Sequence, residues 1–181
     1  MKIKALIYFI AGSVVLVSAS CSPVADLSNP KFFENELITF SYPGNWEIDE
    51  NVREDYGYRI SISGPENSVV ILLVISPGWE MNFEDYCKQY SEMLKDNISL
   101  GKITRTELSD VVVHPNGMET CQLSLTLSIL SENINSTAKF WKIGSGGIAV
   151  IGMTQVADED REKLLDGFRL IEDNITISPQ E

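Results

Sequence analysis

Apolar and polar positions alternate along most of this chain with the two-residue period of a strand, and the helical period appears in only two stretches. Leu37–Tyr42 alternates, Pro43-Gly44-Asn45 turns, and Trp46–Asp49 continues extended. Arg59–Gly64 and Val69–Ser76 pattern as a hairpin around Pro65-Glu66-Asn67-Ser68. Val69–Ile75 is apolar at every position, which predicts a central strand covered on both faces. The helical period then takes over at Asn82–Asn97. Asn82 is placed to cap it, Glu84 and Asp85 suit its first turn, and Phe83, Tyr86, Cys87, Tyr90 and Leu94 form one buried face. A long hairpin follows: Lys102–Val113, a turn at His114-Pro115-Asn116-Gly117, and Met118–Leu130. In its second arm Cys121, Leu123, Leu125, Leu127 and Ile129 alternate with Gln122, Ser124, Thr126 and Ser128, giving one buried face and one wet one. Ala138–Ile143 and Ile148–Thr154 form a further hairpin across Gly144-Ser145-Gly146-Gly147. A last helix starts near Asp158, with the stripe Leu164, Leu165, Phe168 and Ile171. The pattern contains no repeat and predicts an α+β domain, an antiparallel sheet with two helices.

The chain opens differently. Lys2 and Lys4 precede an apolar run from Ala5 to Val17, and Ser18, Ala19 and Ser20 lead to Cys21. These are the three regions of an export signal, and a cysteine directly after the small residues resembles a bacterial-type lipoprotein signal. That resemblance implies removal of residues 1–20 and lipidation of Cys21 as the first mature residue. The run is shorter than the ~20 apolar residues of a spanning helix. Residues 21–31, with Pro23 and Pro30 and no periodic pattern, are expected to be a tether, and residues 32–181 a single domain. The protein is then extracytoplasmic and held to a membrane by lipid, or secreted if Cys21 is not lipidated.

Charge narrows the partners. The chain carries 14 basic and 26 acidic side chains, for a net charge of −12, and loss of Lys2 and Lys4 makes the mature chain more acidic still. Such a surface repels nucleic acid, so no nucleic-acid partner is expected. Three cysteines divide into Cys21 and a pair, Cys87 and Cys121. If the first helix covers the apolar face of the 118–130 strand, both sulfurs enter one core. Sequence leaves open whether they form a disulfide, allowed in an exported protein, or remain two buried thiols. A single histidine and no closely spaced cysteines make a metal site unexpected.

No sequence motif of a nucleophile elbow, a zinc peptidase or a phosphate loop is present. Gly144-Ser145-Gly146-Gly147-Ile148-Ala149 formally spells a dinucleotide fingerprint, but it leads into a strand and reads as a hairpin turn. Any hydrolytic mechanism with a histidine base must use His114, with Asp110 or Glu119 nearby; its position beside Pro115 reads instead as a solvated turn. Trp79, after Pro77-Gly78, is either an exposed anchor for a partner or ligand, or a lid folded on the core edge. The polar positions Gln122, Ser124 and Thr126 either line a shallow binding surface or are simply solvated.

Phe40-Ser41-Tyr42-Pro43-Gly44-Asn45-Trp46 carries a family resemblance. An extended F-x-Y-P-x-x-W near the start of an exported domain resembles the PsbP-like superfamily, and the order of the remaining elements agrees, ending near Phe168-Arg169-Leu170-Ile171. The resemblance implies a central antiparallel sheet flanked by helices, a PsbP-like α/β/α sandwich. It does not imply an enzyme, and the first reading is a non-catalytic domain that needs no cofactor and binds an envelope protein or a small ligand. A second reading is an accessory subunit of a membrane complex, as the photosystem II relatives are. A third, from a different class, is an unrecognised hydrolase built on His114.

Overall fold

The computed structural model describes residues 24–96, 102–129 and 132–178. The expected signal peptide, residues 1–20, and Cys21 lie outside the described residues, as does Asn97 at the predicted end of the first helix. In chain order the elements are β1 (Lys31–Glu34), β2 (Ile38–Tyr42), β3 (Glu47–Glu54), β4 (Gly57–Ser63), β5 (Val69–Ile75), α1 (Phe83–Asp96), β6 (Lys102–Leu108), β7 (Val112–Val113), β8 (Glu119–Ile129), β9 (Glu132–Ser145), β10 (Ile148–Ala157), α2 (Arg161–Asn174) and β11 (Thr176–Ile177). Seven strands run antiparallel in the order β3-β4-β5-β10-β9-β8-β6, with β7 also paired to β8, and β1-β2-β11 make a second, small sheet.

The apolar run of β5 occupies the middle of the large sheet, between β4 and β10. Its side chains divide between two cores. Val70, Leu72 and Val74 join Phe40, Trp46, Trp141, Leu164, Phe168 and Ile171 beneath α2 and the small sheet. Ile71, Leu73 and Ile75 join Phe83, Tyr86, Cys87, Tyr90, Cys121 and Phe140 beneath α1. A strand that is apolar at each position needs this, since either face left wet would forfeit ~25 cal/mol for each Å² exposed. The aromatic signature supplies the first core: Trp46 meets Phe168 edge-on at 5.3 Å, and Phe40 stacks on Phe33 at 4.9 Å. Asn82 caps α1 through its Oδ1, which accepts the Asp85 N–H at 3.0 Å. The β9–β10 hairpin closes through Gly146 and Gly147, at φ of 60° and 80°, the positive pair that a tight two-residue turn requires.

Four expectations need correction. The described part of the 21–31 tether is docked: Asp26 N–H donates to Asn45 Oδ1 at 2.8 Å, Asp26 O accepts from Gly44 N–H at 2.9 Å, and Ala25 is buried. The strand expected over Lys102–Val113 is broken after Leu108. There Ser109 Oγ accepts the Gln122 N–H at 2.9 Å, so a side chain takes the place of the backbone carbonyl and the ladder stops. The last helix begins at Arg161 rather than near Asp158. Asp158 instead accepts from Thr137 Oγ1, and Asp160 pairs with Lys163, so these acids fasten a turn. Finally, β9 starts at Glu132 although Glu132–Thr137 is polar apart from Ile134, because its backbone pairs residue for residue with β8.

Candidate docking cleft

At one end of the molecule three turns meet. The β1–β2 turn contributes Glu36 and Leu37, the β3–β4 hairpin contributes Arg53, Glu54, Asp55, Gly57 and Tyr58, and the chain leaving β5 contributes Ser76 and Pro77. Together they enclose a cleft of about 280 Å³. The pairing of β4 with β5 explains the convergence. Gly57 lies opposite Ile75, so the β3–β4 turn and the exit from β5 emerge side by side, and Ser76 N–H closes onto Tyr56 O at 2.7 Å.

The cleft mouth is ordered by charge and an aromatic ring. The Tyr58 hydroxyl donates to Glu36 Oε1 at 2.6 Å, and Arg53 reaches the same carboxylate at 3.3 Å. The Arg53 guanidinium also sits over the Tyr58 ring, 5.7 Å from its centre. The hydrogen bond from Tyr58 holds the Glu36 carboxyl below its ordinary value, and the same bond raises the Tyr58 phenol. Arg53 is largely exposed and Asp55 lies beside it, so the mouth presents both signs of charge around an apolar ring. Beneath the hairpin, Tyr56 is pushed well up by burial, with the Glu54 charge adding to it.

Trp79 follows the cleft residues Ser76 and Pro77 in the chain. Its N–H donates to Ser76 O at 3.2 Å, closing a turn whose Gly78 takes φ 86°. The residue is 38% exposed, so it is neither fully lidded nor free. The polar residues of β8 are elsewhere, three strands across the sheet from β5, about 14 Å at ordinary strand spacing. Gln122 and Ser124 are exposed, and Thr126 Oγ1 donates to Asn135 Oδ1 at 2.9 Å. Around them Lys139 is engaged by both oxygens of Glu172, and Arg105 pairs with Glu107. The structure therefore does not bring Trp79 together with Gln122, Ser124 and Thr126.

Cys87 on α1 and Cys121 on β8 do come together in the second core, with Cα atoms 7.3 Å apart and the sulfurs in contact. His114 Nε2 lies 2.9 Å from Thr120 Oγ1. Glu119 belongs to the opposite face of β8, where it accepts from Lys142 Nζ at 3.0 Å, so it does not orient the imidazole. Among the described residues no three His, Cys, Asp or Glu side chains gather as metal ligands would. The cleft residues Glu36, Arg53, Tyr58 and Pro77 were not recognisable from sequence. They come from three turns, each of which reads alone as ordinary surface.

An antiparallel sheet with α1 on one face, and α2 and the small β1-β2-β11 sheet on the other, is the PsbP-like fold. No protein-family model matches the chain, and no curated protein matches it. Solved structures do. Cyanobacterial PsbP (CyanoP) from Synechocystis sp. PCC 6803 is 10% identical with a TM-score of 0.51, over 90% of this chain and 99% of its own. The Ran-binding protein Mog1p of Saccharomyces cerevisiae is 10% identical with a TM-score of 0.52, over 83% and 96%. LpqN of Mycobacterium tuberculosis, a protein involved in cell envelope biogenesis, is 16% identical with a TM-score of 0.40, over 83% and 90%.

Proposed function

We propose that this protein is an extracytoplasmic lipoprotein, anchored through Cys21, whose PsbP-like domain is non-catalytic and docks an envelope protein. The observation that carries the docking reading is the coincidence of a half-exposed Trp79 with the mixed-charge cleft beside it. Aromatic and arginine side chains around a partly apolar centre are the usual anchors of protein recognition. The cleft is open and lined by the charged side chains of Glu36, Arg53, Glu54 and Asp55 rather than by an apolar enclosure, so a protein segment laid along it suits the geometry better than an engulfed ligand. The yeast protein of similar fold is a Ran-binding protein, so this scaffold can present a protein-binding surface. A disulfide between Cys87 and Cys121 belongs to the same reading, as expected of an exported domain. The hydrolase reading has no support in the geometry of His114, whose neighbour is a threonine hydroxyl rather than a carboxylate.

The test is a crosslinking pull-down from native membranes with the wild-type protein, Cys21→Ala and Trp79→Ala. The proposal expects one stoichiometric partner with wild type and its loss with Trp79→Ala while the protein stays membrane-bound. Cys21→Ala should release the protein from the membrane. A partner retained undiminished by Trp79→Ala would place recognition elsewhere.

A further inference from the structure

We infer that the amino-terminal segment seats the domain directly on a zwitterionic lipid surface, with the Trp79 end turned away from it. The inference rests on Cys21 being the lipid-bearing residue. Its structural basis is the docked segment that follows. Asn45 Nδ2 donates to Val24 O at 3.1 Å, Asn45 Oδ1 accepts the Asp26 N–H, and Ala25 packs where a Cβ on Gly167 would touch it at 2.8 Å. Cys21 stands three residues before Val24 in the sequence. Three residues of extended chain reach at most ~11 Å. A domain leashed so closely cannot tumble freely above a bilayer; it is held with one end against it.

Strand register defines which end that is. The docked segment wraps the Pro43–Asn45 turn, which leads into β3 at Glu47, and Glu47 pairs with Ser63. Ser63 pairs with Val69 at one end of the β4–β5 ladder, while Gly57 pairs with Ile75 at the other, where the cleft and Trp79 lie. Seven residues of strand put about 20 Å between the two ends. The anchored end also carries three exposed apolar side chains, Val24 and Phe32 at 63% and Leu27 at 45%. Phe32 points out from β1 opposite Ser41, while its neighbour Phe33 turns inward onto Phe40. The charges at this end argue for the kind of lipid. Lys31 donates to Trp46 O at 2.9 Å and Lys163 pairs with Asp160 at 2.7 Å, whereas Glu47 and Glu159 are exposed. An anionic surface would be repelled, so contact runs through the apolar side chains to zwitterionic headgroups.

The experiment uses the full acylated chain. Intact mass first establishes whether Cys21 carries acyl groups; a bare Cys21 refutes the anchor and with it this seating, before any vesicle is used. Acylated protein is then reconstituted into phosphatidylcholine vesicles containing phosphatidylcholine brominated near the headgroup end of its chains. Phe32→Trp and, as a second probe, Leu27→Trp are compared with the native protein. The emission added by each new tryptophan is expected to be mostly lost in brominated vesicles. Trp79 emission, taken as the difference between the native protein and Trp79→Phe, should be unchanged. Unquenched emission from both new tryptophans in vesicle-bound acylated protein would overturn the inference and leave the patch to a protein partner. Quenching of Trp79 as strong as that of the new tryptophans would reverse the orientation and equally overturn it.

Discussion

The Tyr58 hydroxyl and the Glu36 carboxylate, 2.6 Å apart, join the large sheet to the small one at the mouth of the cleft. The bond has a pH signature. It lowers the folded-state value of Glu36, so its contribution is complete above the unfolded glutamate value of about 4.3 and disappears as pH falls through the lower folded value. In Tyr58→Phe the Glu36 carboxyl should titrate closer to an ordinary glutamate, measured by carboxyl-carbon NMR. An unchanged titration would show that the Tyr58 bond is not what holds the charge.

Buried phenols give the stability an alkaline dependence. Burial raises Tyr86 and Tyr90, and raises Tyr56 together with the Glu54 charge. A raised folded value means stability that is full below the unfolded tyrosine value of about 10 and lost as pH climbs above it. Phenolate absorbance should therefore appear in step with the loss of the circular dichroism signal. Full ionisation of these tyrosines ahead of unfolding would contradict their burial.

Gly152 lies beneath the Trp141 indole, and a Cβ there would occupy the ring's own space. Both residues are buried, on neighbouring strands and opposite one another. Gly152→Ala should cost about 1–3 kcal/mol, the usual range for overpacking, read from denaturant unfolding with an unchanged m value. Gly167→Ala, against Trp46 and Ala25, is expected to behave alike.

Cys87 and Cys121 are 34 residues apart in sequence. A bond between them should contribute about 3–4 kcal/mol in the chain-entropy account. Protein folded in an oxidising compartment should show neither thiol free on alkylation under denaturing conditions. Reduction should then lower the unfolding midpoint. Two alkylated thiols in the untreated protein would leave them as buried apolar side chains.

Much of the fold was legible because burial and backbone period coincide there. Val69–Ile75 could only be a strand covered twice, and Phe83, Tyr86, Cys87 and Tyr90 could only be one helix face. What escaped was structure held by pairing rather than by side-chain burial. The β9 segment Glu132–Asn135 is exposed and polar apart from Ile134, yet it is a strand because β8 lies beside it. The two-residue β11 exists through its pairing with β2, and Asn45 converts the expected tether into docked chain through two hydrogen bonds. Of the site, only Trp79 was visible in advance. Arg53 and Tyr58 acquire a role from Glu36, which a different turn delivers to them.

The most direct measurement is site-specific photocrosslinking in native membranes, with a photoreactive residue placed at position 79 or at position 124. The two positions lie on separate surfaces of one domain, so they discriminate between the cleft and the polar strand face. The account predicts a single discrete adduct from position 79 and none from position 124. Crosslinking from position 124 alone would contradict it and move the docking surface to β8.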